Sequence, residues 1–414
     1  MKYVGIDWGG DRHDVSLVDE SGKRIDFWHV SSSPDGLVAL MKRLAEEGGP
    51  SEVLVGMESG ALPVLRALLR ERYQTYVLNP KQADRFRDRH TVAGAKDDDL
   101  DSFVTADAVR TDRNHLKPYE PDTPLAEEIA IRDRVRTQMV QRRAALENQL
   151  RSMLEEYFPA MLKLGRPMED PFFLDLLHLA RDPLHVRTLR TSAVGRLVTK
   201  YRLRVLTAQK VLEVLRQPSF NTSAHVMGAL RDGALQLATL IAAFNGQIEA
   251  SETILDDLAT KHPDYELLLS LPGLGDRSVV RVLAELGDSP SRRADDTSVQ
   301  TYAGTAPVTR RTGRRGRKTN GRVVMRRGCN RILQAALFNM ARASQASCAW
   351  AAAYLEDCRR RRVSRVMALR SLSNKWAKII AVVLRTHVPY DEARHVADLT
   401  RYGVEWAPKP GVAA

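Results

Sequence analysis

Apolar residues recur with two different periods along the chain, and the first region is the one with short apolar runs. These runs have the length and the β-branched content of buried strands. Strands are predicted at residues 3–6, 15–18, 25–30, 53–57 and 75–78. Residues 37–47 and 65–72 instead carry apolar side chains at helical spacing. Residues 1–121 are therefore predicted to be an α/β domain, with a basic segment after Pro80 and an acidic run at 97–101.

From residue 125 onward the apolar spacing is helical. Residues 125–164 and 237–258 keep three- and four-residue steps, which predicts two coiled-coil-like helices. Thr123 and Pro124 are a suitable cap and first residue for the first of them. The two helices can pair with each other or with another protomer. The basic, less regular stretch 166–220 is predicted to be a small helical insertion that contacts nucleic acid.

The last third of the chain is predicted to be helical as well. Helical patterns cover residues 329–342, 350–358 and 363–385. The predicted domains are 1–121, a helical segment at 122–258 with its insertion near 166–220, and a C-terminal domain at 259–414. The fold class is thus α/β plus α.

The charge of the chain narrows the class of partner. Its 414 residues carry 63 Lys and Arg against 51 Asp and Glu, and the pI is about 9.7. This excess favours nucleic acid as a partner, with a generically basic protein as the alternative. The three cysteines form no CxxC pair, which argues against a zinc finger or a disulfide framework. Without a signal-peptide pattern or a long apolar run, we expect a cytoplasmic protein with no membrane partner.

Four carboxylates occupy positions that an α/β fold would bring together. Asp7 and Glu58 each end a predicted strand, and Asp98 and Asp101 are three residues apart on one face of a predicted helix. A three-strand meander followed by alternating helix and strand is the order of a ribonuclease-H-like fold, and in α/β sheets sites form beside strand ends. Convergence of all four carboxylates predicts a site for two Mg²⁺ ions that acts on a phosphodiester.

Each of these residues also has an ordinary interpretation. Asp7 alone fits a turn or a helix cap, Glu58 fits a surface carboxylate, and the acidic run at 97–101 fits a solvated helix start. Residues 5–10 are also similar to the Gly-rich hairpin that cradles ATP phosphate in actin-like sugar kinases. No second Gly-rich phosphate loop follows in the sequence, which weighs against a kinase.

Two stretches near the C-terminus predict contact with nucleic acid. Residues 268–275 are typical of a helix-hairpin-helix element, in which Gly273 and Gly275 would present N–H groups to a DNA phosphate; a Gly-capped turn is the alternative. Nine Lys and Arg lie between residues 310 and 327, interleaved with Gly and Thr, which predicts a loop that follows a phosphate backbone. The candidate contacts are Arg310, Arg311, Arg314, Arg315, Arg317 and Lys318.

Several short motifs in one order carry a resemblance to a known family. They are residues 3–7, Glu58, residues 77–80, Lys96-x-Asp98-x-x-Asp101, residues 271–275, Ala303-Gly304-x-x-Pro307 and residues 388–391. In this order and spacing, the chain resembles the DEDD-type insertion-sequence transposases, which are recombinases guided by a bridge RNA. The resemblance covers nearly the whole chain, apart from residues 166–220.

The resemblance implies a RuvC-like N-terminal domain, a coiled-coil segment and a C-terminal transposase domain. It implies that Asp7, Glu58, Asp98 and Asp101 bind Mg²⁺, and that a hydroxyl group of the C-terminal domain forms a covalent link to DNA. It also implies donor and target DNA and a non-coding bridge RNA as partners. The active site would be assembled between the two domains in a homo-oligomer, a dimer or a tetramer.

The chain departs from the family at the nucleophile. Family members usually carry Ser-Gly after the Ala-Gly-x-x-Pro motif, whereas this chain has Thr312-Gly313. Threonine also offers an alcohol, although its extra methyl group crowds the attack and stiffens the side chain. Thr312 is therefore the predicted nucleophile. One alternative is that the threonine is a defect that leaves the enzyme slow. Another is that it is a plain turn residue, and a third is that Ser278 or Ser298 serves as the nucleophile.

The predicted function is DNA strand exchange for a mobile element, with the arginines around Thr312 clamping the DNA backbone. One rival is a metal-dependent nuclease that cuts branched DNA by water attack, without a covalent step. The other rival is a nucleic-acid-binding protein without catalytic activity.

Overall fold

The N-terminal strands form where the apolar pattern predicts them. The computed structural model describes residues 1–58, 62–90, 98–218, 223–310 and 322–408. In chain order the first elements are β1 (Lys2–Trp8), β2 (Arg12–Val18), β3 (Arg24–Ser31), α1 (Pro34–Glu47), β4 (Val53–Glu58), α2 (Leu62–Arg70), β5 (Gln74–Leu78), α3 (Pro80–Arg87) and α4 (Asp98–Asp112). The strands make one sheet in the order β3-β2-β1-β4-β5. β1, β2 and β3 pair antiparallel, whereas β4 pairs parallel with both β1 and β5.

The two faces of this sheet bury different sets of side chains, as the period of two along a strand requires. On one face, residues such as Val4 and Ile6 pack with Leu40 of α1 and Leu68 of α2. On the other face, Tyr3 and its neighbours pack with α4. That second set comprises Tyr3, Val18, Leu54, Tyr76, Ala106 and Val109. The sheet is therefore covered by helices on both sides, with α1 and α2 on one face and α4 on the other.

Two paired glycines let α4 approach the sheet closely. Gly5 of β1 and Gly56 of β4 are register partners on the α4 face. A Cβ atom at Gly5 would lie 1.9 Å from the carbonyl oxygen of Ser102, and one at Gly56 would lie 2.8 Å from that of Thr105. These distances are below any real contact to Cβ, so the backbone of α4 occupies the space that side chains would need.

We expect Gly5→Ala to destabilise the protein strongly. Because the obstructing atoms belong to the α4 backbone, they cannot move aside as a flexible side chain would, and we expect a loss of at least about 3 kcal/mol in the free energy of unfolding. Thermal and denaturant unfolding monitored by circular dichroism measures this loss. Gly49→Ala is the matched control, since a Cβ there meets nothing within 4 Å. Equal stability of the two variants would contradict the close approach of α4.

The middle of the chain contains the two predicted long helices. The elements are α5 (Pro124–Tyr157), α6 (Pro159–Leu162), α7 (Pro171–Ala180), α8 (Pro183–Thr188), α9 (Thr191–Lys200), α10 (Ala208–Leu215) and α11 (Ala224–Thr260). Thr123 caps α5 as predicted, since its side chain accepts a hydrogen bond from the N–H of Ala126. The predicted insertion is helical, and α7 to α10 enclose a core that includes Phe172 and Leu212.

The long helices α5 and α11 pack against each other within the chain. Arg136 contacts Glu252 at 3.2 Å, and Arg143 donates a hydrogen bond to Asn245 at 2.7 Å. Residue numbers rise on one helix as they fall on the other, so the pair is antiparallel. Of the two pairings left open by the sequence, the structure shows the one within the chain.

Within the described ranges, α11 is also the one helix whose length and composition would allow it to cross a membrane. Its most apolar 18-residue window has a mean hydropathy of 1.2. A core helix of a soluble protein passes the same test, so a single helix of this kind is weak evidence for a membrane span. Helix α11 also packs against α5 within the chain, through contacts such as that of Glu252 with Arg136.

The remaining elements complete the C-terminal part. They are α12 (Tyr265–Leu269), α13 (Asp276–Leu286), α14 (Pro290–Arg293), α15 (Asp296–Tyr302), β6 (Val308–Arg310), β7 (Arg322–Val324), α16 (Arg331–Ser344), α17 (Ala349–Arg360), α18 (Arg365–Thr386) and α19 (Glu392–Arg401). Helices α16, α17 and α18 match the predicted ones. The sequence did not predict α19, which is capped by the side chain of Asp391. It also predicted a loop at 310–327, where the structure has the antiparallel strands β6 and β7 at and near the two ends.

The chain divides into two compact units, and each unit is made of two separate stretches of sequence. One unit holds residues 1–122 together with 288–331, and the other holds residues 123–287 together with 332–414. In the first unit, Oδ1 of Asp122 accepts hydrogen bonds from the N–H groups of Asp288 (2.8 Å) and Ser289 (2.9 Å). The segment that contains β6 and β7 is thereby attached to the N-terminal sheet domain.

Candidate active site

Strand register places three acidic residues on one face of the sheet, at one end. Asp7 comes two residues after Gly5, and Glu58 comes two residues after Gly56, so both side chains point to the α4 face. Asp14 of β2 is the register partner of Asp7 and shares that face. The same strand also carries Ser16, whose hydroxyl lies 2.8 Å from the Ser102 hydroxyl of α4.

Helix α4 adds a further carboxylate to this end of the sheet. Asp101 is 4% exposed and precedes Ser102, the residue whose backbone lies against Gly5. A cleft of about 630 Å³ is lined by Asp7, Glu58 and Asp101 together. Its other lining residues are Trp8, Gly9, Gly10, Asp11, Arg12, Asp14 and Arg87. Three of the four predicted acidic residues thus meet in one cleft, although they are far apart in the sequence.

Asp101 is held by an arginine of the neighbouring helix. Nε of Arg87, at the last turn of α3, donates a hydrogen bond of 2.5 Å to Oδ1 of Asp101. The guanidinium group also contacts Asp84 at 2.9 Å. The hydrogen bond to Asp101 raises the pKa of Arg87 above its ordinary value, with a smaller contribution from Asp84, so the arginine stays charged.

Asp14 is a cleft residue that sequence reasoning missed. It is 5% exposed, and one of its oxygens lies 2.5 Å from Nδ1 of His29 and 3.5 Å from Nε of Arg12. Its neighbour His13 stacks on Trp8 with the ring centroids 4.2 Å apart, and burial lowers the pKa of that histidine. The signal in the sequence was an acidic residue directly before the predicted strand at residues 15–18.

The donor set of the cleft is the one that a hard divalent cation prefers, because its acidic side chains supply carboxylate oxygens. The fourth predicted carboxylate, Asp98, is the first residue of α4, but its side chain lies outside the described part of the chain. Among the described residues, no three His, Cys, Asp or Glu side chains are close enough together to hold one ion.

Comparison with known proteins identifies the family. A family model for transposases of the DEDD, IS110 type matches residues 4–159, and a second, described as "Transposase IS116/IS110/IS902 family", matches residues 265–356. The mini-circle putative transposase for IS117 of Streptomyces coelicolor is 32% identical over 410 residues, which cover 96% of this chain and 97% of that protein. This chain belongs to the IS110 family of transposases.

Other relatives of this transposase agree with the assignment. The putative transposase y4uE of Sinorhizobium fredii is 32% identical over 205 residues, or 49% of this chain and 57% of that protein. An uncharacterized 43.6 kDa protein of the insertion element IS110, from Streptomyces coelicolor, is 25% identical over 394 residues, covering 94% and 95% of the two chains. The family resemblance inferred from short motifs is thus confirmed over nearly the whole length.

The predicted nucleophile of the transposase, Thr312, lies outside the described residues, as do Arg311, Arg314, Arg315, Arg317 and Lys318. The strands on either side of residues 311–321 are described, and Arg310 and Arg322 are register partners. The side chain of Arg310 is itself not described. These strands belong to the same compact unit as the acidic cleft.

The two glycines of the predicted helix-hairpin-helix have different surroundings in the transposase. Gly273 has φ +86°, and a Cβ there would lie 2.6 Å from the carbonyl oxygen of Met340 in α16. Packing against α16 therefore requires this glycine. Gly275 precedes α13, is exposed and has nothing near its Cβ position. Contact of either glycine with a DNA phosphate stays a prediction.

Proposed function

We propose that this protein is the DNA transposase of an insertion sequence, which cuts and exchanges DNA strands through a hydroxyl nucleophile. The observation that carries the proposal is the convergence of Asp7, Glu58 and Asp101 on one cleft at the end of the sheet. Membership of the IS110 family and the basic excess of the chain support DNA as the substrate.

The acidic residues are proposed to bind Mg²⁺. Asp7, Glu58, Asp98 and Asp101 would hold the metal, and the described members supply only carboxylate oxygens, which suit a hard cation. When bound, Mg²⁺ stabilises negative charge on the scissile phosphate and helps to activate the attacking hydroxyl. The strand ends carry Asp7 and Glu58, and the close approach of α4 brings Asp101 to them.

Thr312 is the proposed nucleophile. Its oxygen forms a bond to phosphorus while a bond from phosphorus to a deoxyribose oxygen breaks, and the proton lost by the hydroxyl balances the one gained by the leaving oxygen. Grouping of residues 288–331 with the N-terminal domain supports the participation of this segment. Nearby arginines, Arg310 and Arg311 first and then Arg314 and Arg315, would pair with the DNA backbone.

Guidance and assembly are proposed from the family resemblance. A bridge RNA would select donor and target DNA by base pairing, while the protein contacts the backbones. The active site would be completed in a homo-oligomer. The functional division proposed is a RuvC-like domain at 1–121, a helical segment at 122–258 and a transposase domain at 259–414.

A strand-transfer assay tests the proposal. Purified protein is incubated with a plasmid carrying the two ends of the insertion sequence and with RNA transcribed from the non-coding DNA beside the gene. We expect strand cleavage and joining that require a divalent ion, stop with a chelator and resume with added Mg²⁺. Cleavage that persists in the chelator would contradict the role of the carboxylates, and binding without cleavage in any metal would favour a non-catalytic protein.

The acidic cleft also suits the rival nuclease, which would use water as its nucleophile. Denaturing gels separate the two proposals. A protein–DNA adduct supports the transposase, whereas free cut ends without an adduct support the nuclease.

A further inference from the structure

Arg87 lies where the predicted metal ligands meet. It lines the cleft together with Asp7, Glu58 and Asp101. Its Nε is 2.5 Å from Oδ1 of Asp101, and the two side chains are 18% and 4% exposed. A carboxylate so far removed from water needs a cation, and in this arrangement the guanidinium group supplies it.

The contact between Arg87 and Asp101 offsets part of the negative charge that lines the cleft. Among the described residues that line the cleft, five carboxylates face the guanidinium groups of Arg12 and Arg87. Arg12 is mostly exposed and lies 3.5 Å from Asp14, whereas Arg87 is largely buried against Asp101. A cleft with this excess of negative charge repels a DNA phosphate until more positive charge enters. A divalent ion would supply it, and it would compete with Arg87 for the same oxygen of Asp101.

We propose that Arg87 is a catalytic residue that neutralises Asp101 in the free protein and moves to the scissile phosphate when a divalent ion takes its place. The inference rests on the proposed function, because it assigns Asp101 to the metal site. It adds to the proposed active site an arginine that is not part of the acidic motif. The metal would then have a second effect, which is to release this arginine from Asp101.

The geometry of Arg87 suits this exchange. Its second contact within the described residues, with Asp84, is made on the surface by a carboxylate that is 67% exposed, and such pairs hold an arginine weakly. Loss of the Asp101 contact therefore frees most of the guanidinium group. A planar guanidinium can bind two oxygens of a phosphate at once, which an ammonium group cannot do.

Metal binding without DNA gives the first test. Mn²⁺ is titrated calorimetrically into the full-length protein, Arg87→Gln, Arg87→Lys and the control Arg85→Gln, which removes an exposed arginine of the same helix. We expect Arg87→Gln to bind Mn²⁺ at least about fivefold more tightly, since the competing cation is gone. Arg87→Lys, which keeps a cation, and Arg85→Gln are expected to bind as the unmodified protein does.

Cleavage at saturating Mg²⁺ gives the second test. Arg87→Gln is expected to cut about a hundredfold more slowly because the phosphate loses a preorganised donor, and Arg87→Lys is expected to be intermediate. Tighter metal binding together with slower cleavage is a combination that a merely structural defect does not give. Unfolding curves of both variants show whether each one keeps its fold. If Arg87→Gln does not fold, the cleavage rate of Arg87→Lys tests the catalytic role of Arg87.

The outcomes separate the two proposals. If Asp7→Asn abolishes Mn²⁺ binding while Arg87→Gln leaves the affinity unchanged or weaker, the inference about Arg87 is overturned and the metal site stands. If Asp7→Asn leaves Mn²⁺ binding unchanged, the proposed metal site itself is overturned. If Arg87→Gln binds Mn²⁺ more tightly but cuts at the normal rate, Arg87 competes with the metal without touching the phosphate, and its catalytic role is wrong.

Discussion

Asp7→Asn is expected to reduce DNA strand cleavage by this transposase at least about a thousandfold. Asp7 lies near the carboxyl end of the central strand β1, beside β4 and Glu58, and its carboxylate lines the acidic cleft. Asparagine has the same shape but lacks the charge, so the fold is retained while the proposed metal site loses a charged ligand. Several kcal/mol of transition-state stabilisation then disappear, which corresponds to a factor of this size. Cleavage of labelled DNA, resolved on denaturing gels over time, measures the rate.

Asp11→Asn is the matched control for this change. Asp11 lines the same cleft and undergoes the same loss of charge, but its side chain is exposed and it is not one of the four predicted ligands. We expect it to cut within about threefold of the normal rate, the effect of a screened surface charge. Comparable losses in the two variants would indicate that the general charge of the cleft matters, and not a specific metal site.

Thr312→Val is expected to abolish the covalent protein–DNA adduct and to lower strand exchange more than about ten-thousandfold, as removal of a nucleophile does in other enzymes. Valine keeps the shape of threonine and lacks only the hydroxyl. The adduct is detected as a labelled DNA strand that migrates with the protein on a denaturing gel and is released by protease.

Two further variants make the assignment of Thr312 specific. Thr312→Ser keeps the alcohol and removes the crowding methyl group, so the adduct is expected to form at least as fast as in the unmodified protein. Thr309→Val removes a hydroxyl from the neighbouring strand β6 and is expected to leave the adduct intact. An adduct that survives Thr312→Val but disappears in Ser278→Ala or Ser298→Ala would transfer the role to that serine.

The apolar pattern was sufficient to predict most elements of the sheet domain, because each strand and helix has its own local spacing of apolar residues. All five strands and the helices α1, α2 and α4 lie where the sequence predicts them. Acidic residues at strand ends were also visible, since the carboxyl ends of β1 and β4 are marked by Asp7 and Glu58. The sequence thus predicted the architecture of the sheet domain and three of the five described carboxylates that line the cleft, Asp7, Glu58 and Asp101.

Contacts between secondary-structure elements could not be predicted from the local pattern. Asp14 belongs to the cleft only because the register of β1 and β2 pairs it with Asp7, and Arg87 belongs to it only because α3 packs on α4. The packing of Gly273 against the backbone of α16 is a further contact that the sequence did not predict. Each of these facts depends on how separate elements pack together, which the local spacing of apolar residues does not encode.

The bare backbone at Gly5 and Gly56 has a consequence for genetics. Any side chain at either position forces α4 away from the sheet and carries Asp101 away from Asp7 and Glu58. In a random-mutagenesis screen for lost mobility, alleles at these glycines would be scored with those at the acidic residues. Two of the codons that tolerate substitution least would then encode glycines, which have no side-chain functional group.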